Sequence, residues 1–345
     1  MSVDNSTEDV CVTLRNLLNT IQCVTARVRD GESNESDGDF NLSTFWDTLN
    51  QAGKVVSQEA TKVSLAFSKP PLPSPQDGGT LAESILKSVL SLSTVYYWLP
   101  KSQGINLRQQ VRDATVEVLE GIAQLLEVIL TSPLQRYANL TQEQLTSTGS
   151  VWSACDHFAQ LPQDNKAAAL VVLSSQTGVV KDAIEEVEQA LSEAHDPFSD
   201  VLYDEEEEPR GNQDTYWSEK DRRVIGACQG MMKVSAACLR KLTSAVKANG
   251  DAGTPQKVAQ LDDLADIVKQ ISPEVDDLAL CLYPPMDYNG VENNLSKLAA
   301  LMKNLLAIIR SSHVCGESEL TWVHFLDGAV DHNLQKAKDL IQLDS

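Results

Sequence analysis

The residues best suited to chemistry lie late in the chain, where His324, Asp327, Asp331 and His332 succeed one another at helical spacing. Steps of three, seven and eight place imidazoles and carboxylates toward one side of a helix, a donor set that zinc or iron accepts. A closed metal site needs ligands converging from several segments, and one helix supplies only one wall, so the group reads as an exposed helix face. The rival reading is a helical-bundle metalloenzyme built on His324 and Asp331. Cys155 and His157 are the nearest approach to a nucleophile and base, but residues two apart on a helix point to different sides.

None of the five histidines has Glu or Asp three residues before it, so the Glu-x-x-His pair of di-iron bundles is missing. The chain also lacks His-Glu-x-x-His, Cys-x-x-Cys, glycine-rich phosphate loops and Gly-x-Ser-x-Gly. The sequence therefore predicts no catalytic residue, no metal and no cofactor, and a non-enzymatic chain.

The elements that would position any such residues are helices. Apolar residues recur in steps of three and four, as in Leu14, Leu17, Leu18, Ile21, Val24 and Val28. The same period runs through Phe45–Phe67, Leu81–Leu99 and Leu107–Ile129, and through a shorter stretch around Val151, Cys155 and Phe158. It continues in Leu170–Leu191 and, further on, from Val224 to Ile341. Prolines fall between these stretches, where the missing amide donor does no harm. Ser218 with Asp221 resembles a capping box, and Thr254-Pro255 and Ser272-Pro273 each read as a capping hydroxyl before a first-turn proline. Gly226 and Gly230 predict close packing against a neighbouring helix.

The expected fold is all-α, with ten or eleven helices in two antiparallel bundles joined by an acidic linker. Residues 1–195 form the first bundle and 216–345 the second. Residues 196–215, which include Glu205, Glu206, Glu207 and Glu208, have little to bury and read as a disordered spacer.

Twenty-eight basic residues against 49 acidic ones give a formal net charge of −21. That charge repels a phosphate backbone or an anionic lipid surface, so direct nucleic-acid binding and membrane association are not expected. Seven cysteines, mostly at apolar helical positions, predict a reducing compartment and no disulfide framework. With a polar, acidic start and no apolar run of about 18 residues, neither a signal peptide nor a membrane span is expected.

A protein without chemistry of its own acts through its surfaces. Two candidates for partner binding stand out: the heptad Leu295, Met302 and Ile309 with Leu298 and Leu305, and the acidic run Glu205–Glu208. The heptad covers little more than two repeats, which favours an intramolecular core over a coiled-coil zipper. The acidic run equally suits a solvated spacer.

Several segments resemble one family. They include Pro71-Leu72-Pro73-Ser74-Pro75-Gln76, Val95-Tyr96-Tyr97 with Leu99-Pro100-Lys101, and Asp164-Asn165-Lys166-Ala167-Ala168-Ala169-Leu170. Further on come Tyr216-Trp217-Ser218-Glu219, Val258-Ala259-Gln260-Leu261-Asp262-Asp263, Ile271-Ser272-Pro273 and Tyr283-Pro284-Pro285-Met286. Together they are similar to the cyclin-D1-binding protein 1 family, also described as Grap2 and cyclin-D-interacting. The resemblance implies an all-helical protein of cytoplasm and nucleus that binds D-type cyclins, helix-loop-helix transcription factors and a Grap2-type adaptor. It implies a negative regulator of cell-cycle progression and transcription that does not touch DNA. The composition also suits a cytoskeletal or adhesion adaptor of vinculin or talin type.

Overall fold

A computed structural model describes residues 2–31, 40–69, 71–131, 141–193 and 217–342, with side chains from residue 8 onward. Among these residues every regular element is a helix and no strand occurs. The chain divides into two compact units, Met1–Asp164 and Asn165–Ser345.

The first unit holds α1 (Ser2–Arg29), α2 (Leu42–Ala66), α3 (Pro75–Trp98), α4 (Ile105–Thr131) and α5 (Gln142–His157). Their packing closes into a ring: α1 meets α3 and α4, α2 meets α3 and α5, and α4 meets α5. The ring encloses residues spaced by seven, such as Leu14, Ile21 and Val28 of α1, Leu49, Val56 and Val63 of α2, and Val111, Val118 and Leu125 of α4. Spacing by seven keeps one stripe facing the bundle axis over several turns. The helix starts are capped by side chains: Asn41 accepts from the Thr44 N–H, Ser74 from that of Asp77 and Thr141 from that of Gln144. The corner between α3 and α4 turns at Gly104, whose φ of 114° suits glycine.

A buried cation holds that corner. Arg108 donates to the Leu99 carbonyl, to the Gly31 carbonyl at 3.2 Å and to the Tyr96 hydroxyl at 3.3 Å. Its guanidinium also lies 5.1 Å from the centre of the Tyr96 ring. Burial lowers the Arg108 pKa and raises that of Tyr96, and each partner opposes the other's shift.

The second unit holds α6 (Asn165–Glu193), α7 (Glu219–Asn249), α8 (Pro255–Val268), α9 (Ile271–Leu280), α10 (Tyr288–Ser311) and α11 (Glu317–Gln342). Here the boundary differs from the expected one. Helix α6, assigned from sequence to the first bundle of residues 1–195, lies in the second unit and packs on α7, α8 and α9. Its buried stripe of Leu173, Val180, Ala183, Ile184 and Val187 joins that unit's core, and Asn165 donates to Asp262 of α8 at 2.9 Å. By length and composition alone α6 could cross a membrane, although polar residues 174–177 interrupt its apolar run and one stripe of it is buried in this core. The whole of the expected linker, residues 196–215 with Glu205–Glu208, lies outside the described residues.

The capping box at Ser218 and Asp221 is present in both directions, and the Tyr288 hydroxyl donates to the same Asp221 carboxylate. Thr254 caps α8 as expected. Ser272 does not cap α9: that helix starts two residues earlier than expected, at Ile271, which is completely buried, with Gln270 before it. Pro273 still falls where amide donors have no helical partner. Of the glycine pair, Gly230 meets Asn333 so closely that a Cβ would lie 2.1 Å from its Oδ1, whereas Gly226 faces open space.

Candidate partner-binding surface

Of the residues singled out for chemistry, His324 and His332 are exposed, and the others are engaged by structure. Asp327 and Asp331 both pair with Lys303 of α10, at 3.1 and 2.6 Å, so an ammonium group stands where a metal would have to bind. Burial works against the Lys303 charge, but hydrogen bonds to Asp331 and Asp327 outweigh it and raise its pKa. Among the described residues no three His, Cys, Asp or Glu side chains gather as metal ligands. The Cys155 thiol is pushed up to about 12 by burial and, less, by Asp156, which holds it protonated. His157 turns to Glu117 of α4 instead, at 3.3 Å. Burial also raises Cys228 and Cys238 to about 12.

The heptad proposed as a partner surface is core. Leu295, Leu298, Met302, Leu305 and Ile309 are all 0% exposed and pack with α7, α9 and α11. Core and interface stripes share one period, so only the fold distinguishes them. Glu205–Glu208 lie outside the described residues.

The surface that does offer itself lies along α2 and α5 in the first unit. These helices run antiparallel, locked by polar groups between them, buried at Gln144, Thr148 and Ser64 and exposed at Trp152. Gln144 Nε2 donates to the Ser64 carbonyl at 2.8 Å, Thr148 Oγ1 bonds Ser64 Oγ at 2.8 Å, and Trp152 Nε1 donates to Thr61 Oγ1 at 2.9 Å. At the far end of the seam Gly53 lets the Phe158 ring approach, since a Cβ there would lie 2.8 Å from it.

Gln144 and Ser64 face each other, and each next residue is turned by about 100° on its own helix. For antiparallel helices that turn carries both to the same side, so Leu65 and Leu145 emerge together beside the lock. Trp152, seven residues beyond Leu145, lies on the same face of α5. Leu65 is 62% exposed, Leu145 45% and Trp152 43%, while Gly149 between the last two has nothing within 4 Å of where its Cβ would be. The result is an apolar ridge whose aromatic member is fixed at its N–H.

Other exposed apolar residues include Leu90 and Trp98 on α3 and Val171 and Val179 on α6, for which no cross-helix polar lock of this kind is seen among the described residues. Leu280 and Phe325 stand on α9 and α11 of the second unit, helices that share no packing seam. A groove of about 400 Å³ between α2 and α3 is floored by Ala52 and Ser88 and bordered by Asp47 and Gln51, which gives a partner no large anchor.

Two family models match the chain: Grap2 and cyclin-D-interacting, N-terminal, over residues 48–193, and the corresponding C-terminal model over residues 202–307. A cyclin-D1-binding protein 1 homolog of Danio rerio is 60% identical over the whole of both chains. The homolog of Xenopus laevis is 55% identical, covering 95% of this chain and 98% of its own, and cyclin-D1-binding protein 1 of Homo sapiens is 43% identical, covering 95% and 93%. All three ridge residues fall within the N-terminal match. A chain matched along this much of its length belongs to the Grap2 and cyclin-D-interacting family.

Proposed function

We propose that this chain is a non-enzymatic regulator that takes up a D-type cyclin on the ridge formed by Leu65, Leu145 and Trp152. The observation that carries the proposal is the side-by-side exposure of three large apolar side chains on a polar-locked helix pair. Large apolar groups left in water on one face are the usual mark of a partner site, and a rigid indole makes a strong anchor because little entropy is lost on docking. The names of relatives matching nearly the full chain support a D-type cyclin as the partner.

In this reading the apolar stripe of a partner helix lies along the α2–α5 seam. Occupying the cyclin restrains cell-cycle progression and the transcription that depends on cyclin-D-directed phosphorylation. Helix-loop-helix transcription factors and a Grap2-type adaptor complete the proposed partner set, in cytoplasm and nucleus. The net charge of −21 supports capture of the factor rather than of its DNA. The absence of chemistry is supported by thiols held protonated and by Asp327 and Asp331 tied to Lys303.

Equilibrium binding of a purified D-type cyclin to the wild type and to a Leu65→Ser, Leu145→Ser, Trp152→Ser triple variant tests the proposal. Micromolar or tighter binding by the wild type, lost in the variant with its helical content unchanged, is expected. Undiminished binding by the variant would refute the ridge, and no binding by either protein would refute the partner.

A further inference from the structure

The sequence has four Ser-Pro or Thr-Pro pairs, at Ser74, Ser132, Thr254 and Ser272. They differ in the residues that come after the proline. The residue three positions on from the hydroxyl is Asp77, Gln135, Lys257 and Val275 respectively, so only Thr254 carries the Thr-Pro-x-Lys pattern that proline-directed kinases favour. Access removes one of them: Ser272 is buried inside α9. Ser132 lies outside the described residues, and Ser74 and Thr254 are both exposed, so the lysine three residues on is what distinguishes Thr254 from Ser74.

The backbone around Thr254 suits a kinase cleft, which reads its substrate in extended form. Residues 250–254 connect α7 and α8, with Asp251, Gly253 and Thr254 exposed and Gly250 and Ala252 half-buried, and Thr254 itself is extended at φ −134° and ψ 148°. Presenting Lys257 requires the first turn of α8 to unwind and the Lys257 pair with Asp251 to open. Pro255 and Gln256 are exposed, and the first buried residue of the helix is Val258, so little burial is lost.

From these observations we propose that Thr254 is a phosphorylation site for a proline-directed serine/threonine kinase, independent of where a cyclin binds. Thr254 Oγ1 attacks the γ-phosphorus of ATP; the new O–P bond forms as the bond to the β-phosphate oxygen breaks, ADP leaves, and the hydroxyl proton passes to the kinase base. In the unmodified chain Lys257 Nζ pairs with Asp251 Oδ2 at 2.5 Å, and Asp251 also accepts from the Gly253 N–H at 2.8 Å. A phosphate of charge about −1.5 to −2 on Thr254 competes for Lys257 and repels Asp251. The Asp251 N–H donates to His313 Nε2 at 3.1 Å, so the rearranged connection pulls on the residues just past α10.

The full chain, incubated with a purified cyclin-dependent kinase and magnesium ATP, is analysed by phosphopeptide mass spectrometry. Phosphate on Thr254 of the native chain is expected, together with a loss of about fivefold in rate for Lys257→Ala, the worth of one exposed charge pair. Thr254→Asn keeps a good helix cap and removes the acceptor, so it separates loss of modification from loss of fold. It should unfold like the wild type and take up no phosphate at this position. Phosphate at other positions with Thr254 unmodified, or modification of Thr254 only after the chain is unfolded, would overturn the proposal.

Discussion

Trp152 of α5 donates its indole N–H to the Thr61 hydroxyl of α2 at 2.9 Å while the residue remains 43% exposed. The bond fixes the orientation of a side chain that is only partly buried. A tryptophan held in this way is suited to binding: its ring is already placed, and a large share of its apolar area is still available to a partner.

Trp152→Ala should therefore act mainly on binding. Affinity for a D-type cyclin is expected to fall by about 2 kcal/mol or more, roughly thirtyfold, as for an interface anchor. Stability should drop by less than the roughly 3–5 kcal/mol that truncating a fully buried tryptophan costs, because 43% of the residue is exposed. Calorimetric titration and urea unfolding measure the two. A stability loss without an affinity loss would make Trp152 structural.

The stripe on α10 should behave in the opposite way. Leu298 is completely buried, so Leu298→Ala leaves a cavity and is expected to cost about 2–5 kcal/mol. Cyclin affinity, measured at a temperature where the variant is still folded, should be unchanged. Urea unfolding with binding measured in the cold separates the two effects, and a selective loss of binding would restore Leu295–Ile309 as a contact surface.

Burial with a helical period was legible along the chain because it depends on residue type alone: Val111, Val118, Ile122 and Leu125 are core where the spacing puts them. The partner of each helix was not legible. The stripe of α6 fits either bundle by its period, and only its packing on α7, α8 and α9 assigns it to the second unit. The ridge was hidden for a similar reason, since Leu65 and Leu145 look like any other leucines until Gln144 meets Ser64, 80 residues away in sequence. Buried polar groups are the hardest to foresee. Arg108 sits on a helix among residues that read as surface, and what retains it inside are three acceptors on other segments, the Leu99 and Gly31 carbonyls and the Tyr96 hydroxyl.

Arg108 carries the third prediction. Arg108→Ala removes the donor shared by those acceptors, leaving polar groups buried without a partner, and is expected to destabilise the chain by about 2–4 kcal/mol. Arg108→Lys should recover only part of this, because a single ammonium cannot span the positions a planar guanidinium reaches. Thermal unfolding of both variants checks the order. Equal stability of the two variants would show that the fork geometry is irrelevant.

His313 gives a pH dependence whose direction can be derived. Its Nε2 accepts from the Asp251 N–H at 3.1 Å, and its Nδ1 lies 2.7 Å from Gln260 Oε1, so the ring is neutral with its proton on Nδ1. Burial, and then the nearby Lys257 charge, lower its pKa, with the Asp251 carboxylate opposing them. A histidine whose folded pKa lies below its unfolded value of about 6.5 binds protons more readily in the unfolded chain, so acid favours unfolding. Well above that value both states are neutral there and the contribution vanishes. As pH falls below about 6.5 the unfolded state gains a proton that the folded state resists, and stability declines until the folded ring also titrates. His313→Gln removes this titration, so wild-type stability relative to the variant should fall between about pH 7 and pH 5. Urea unfolding across that range measures the difference. A wild type that gains on the variant as pH falls would mean that His313 is charged in the folded chain, and the hydrogen bond from Asp251 could not then stand.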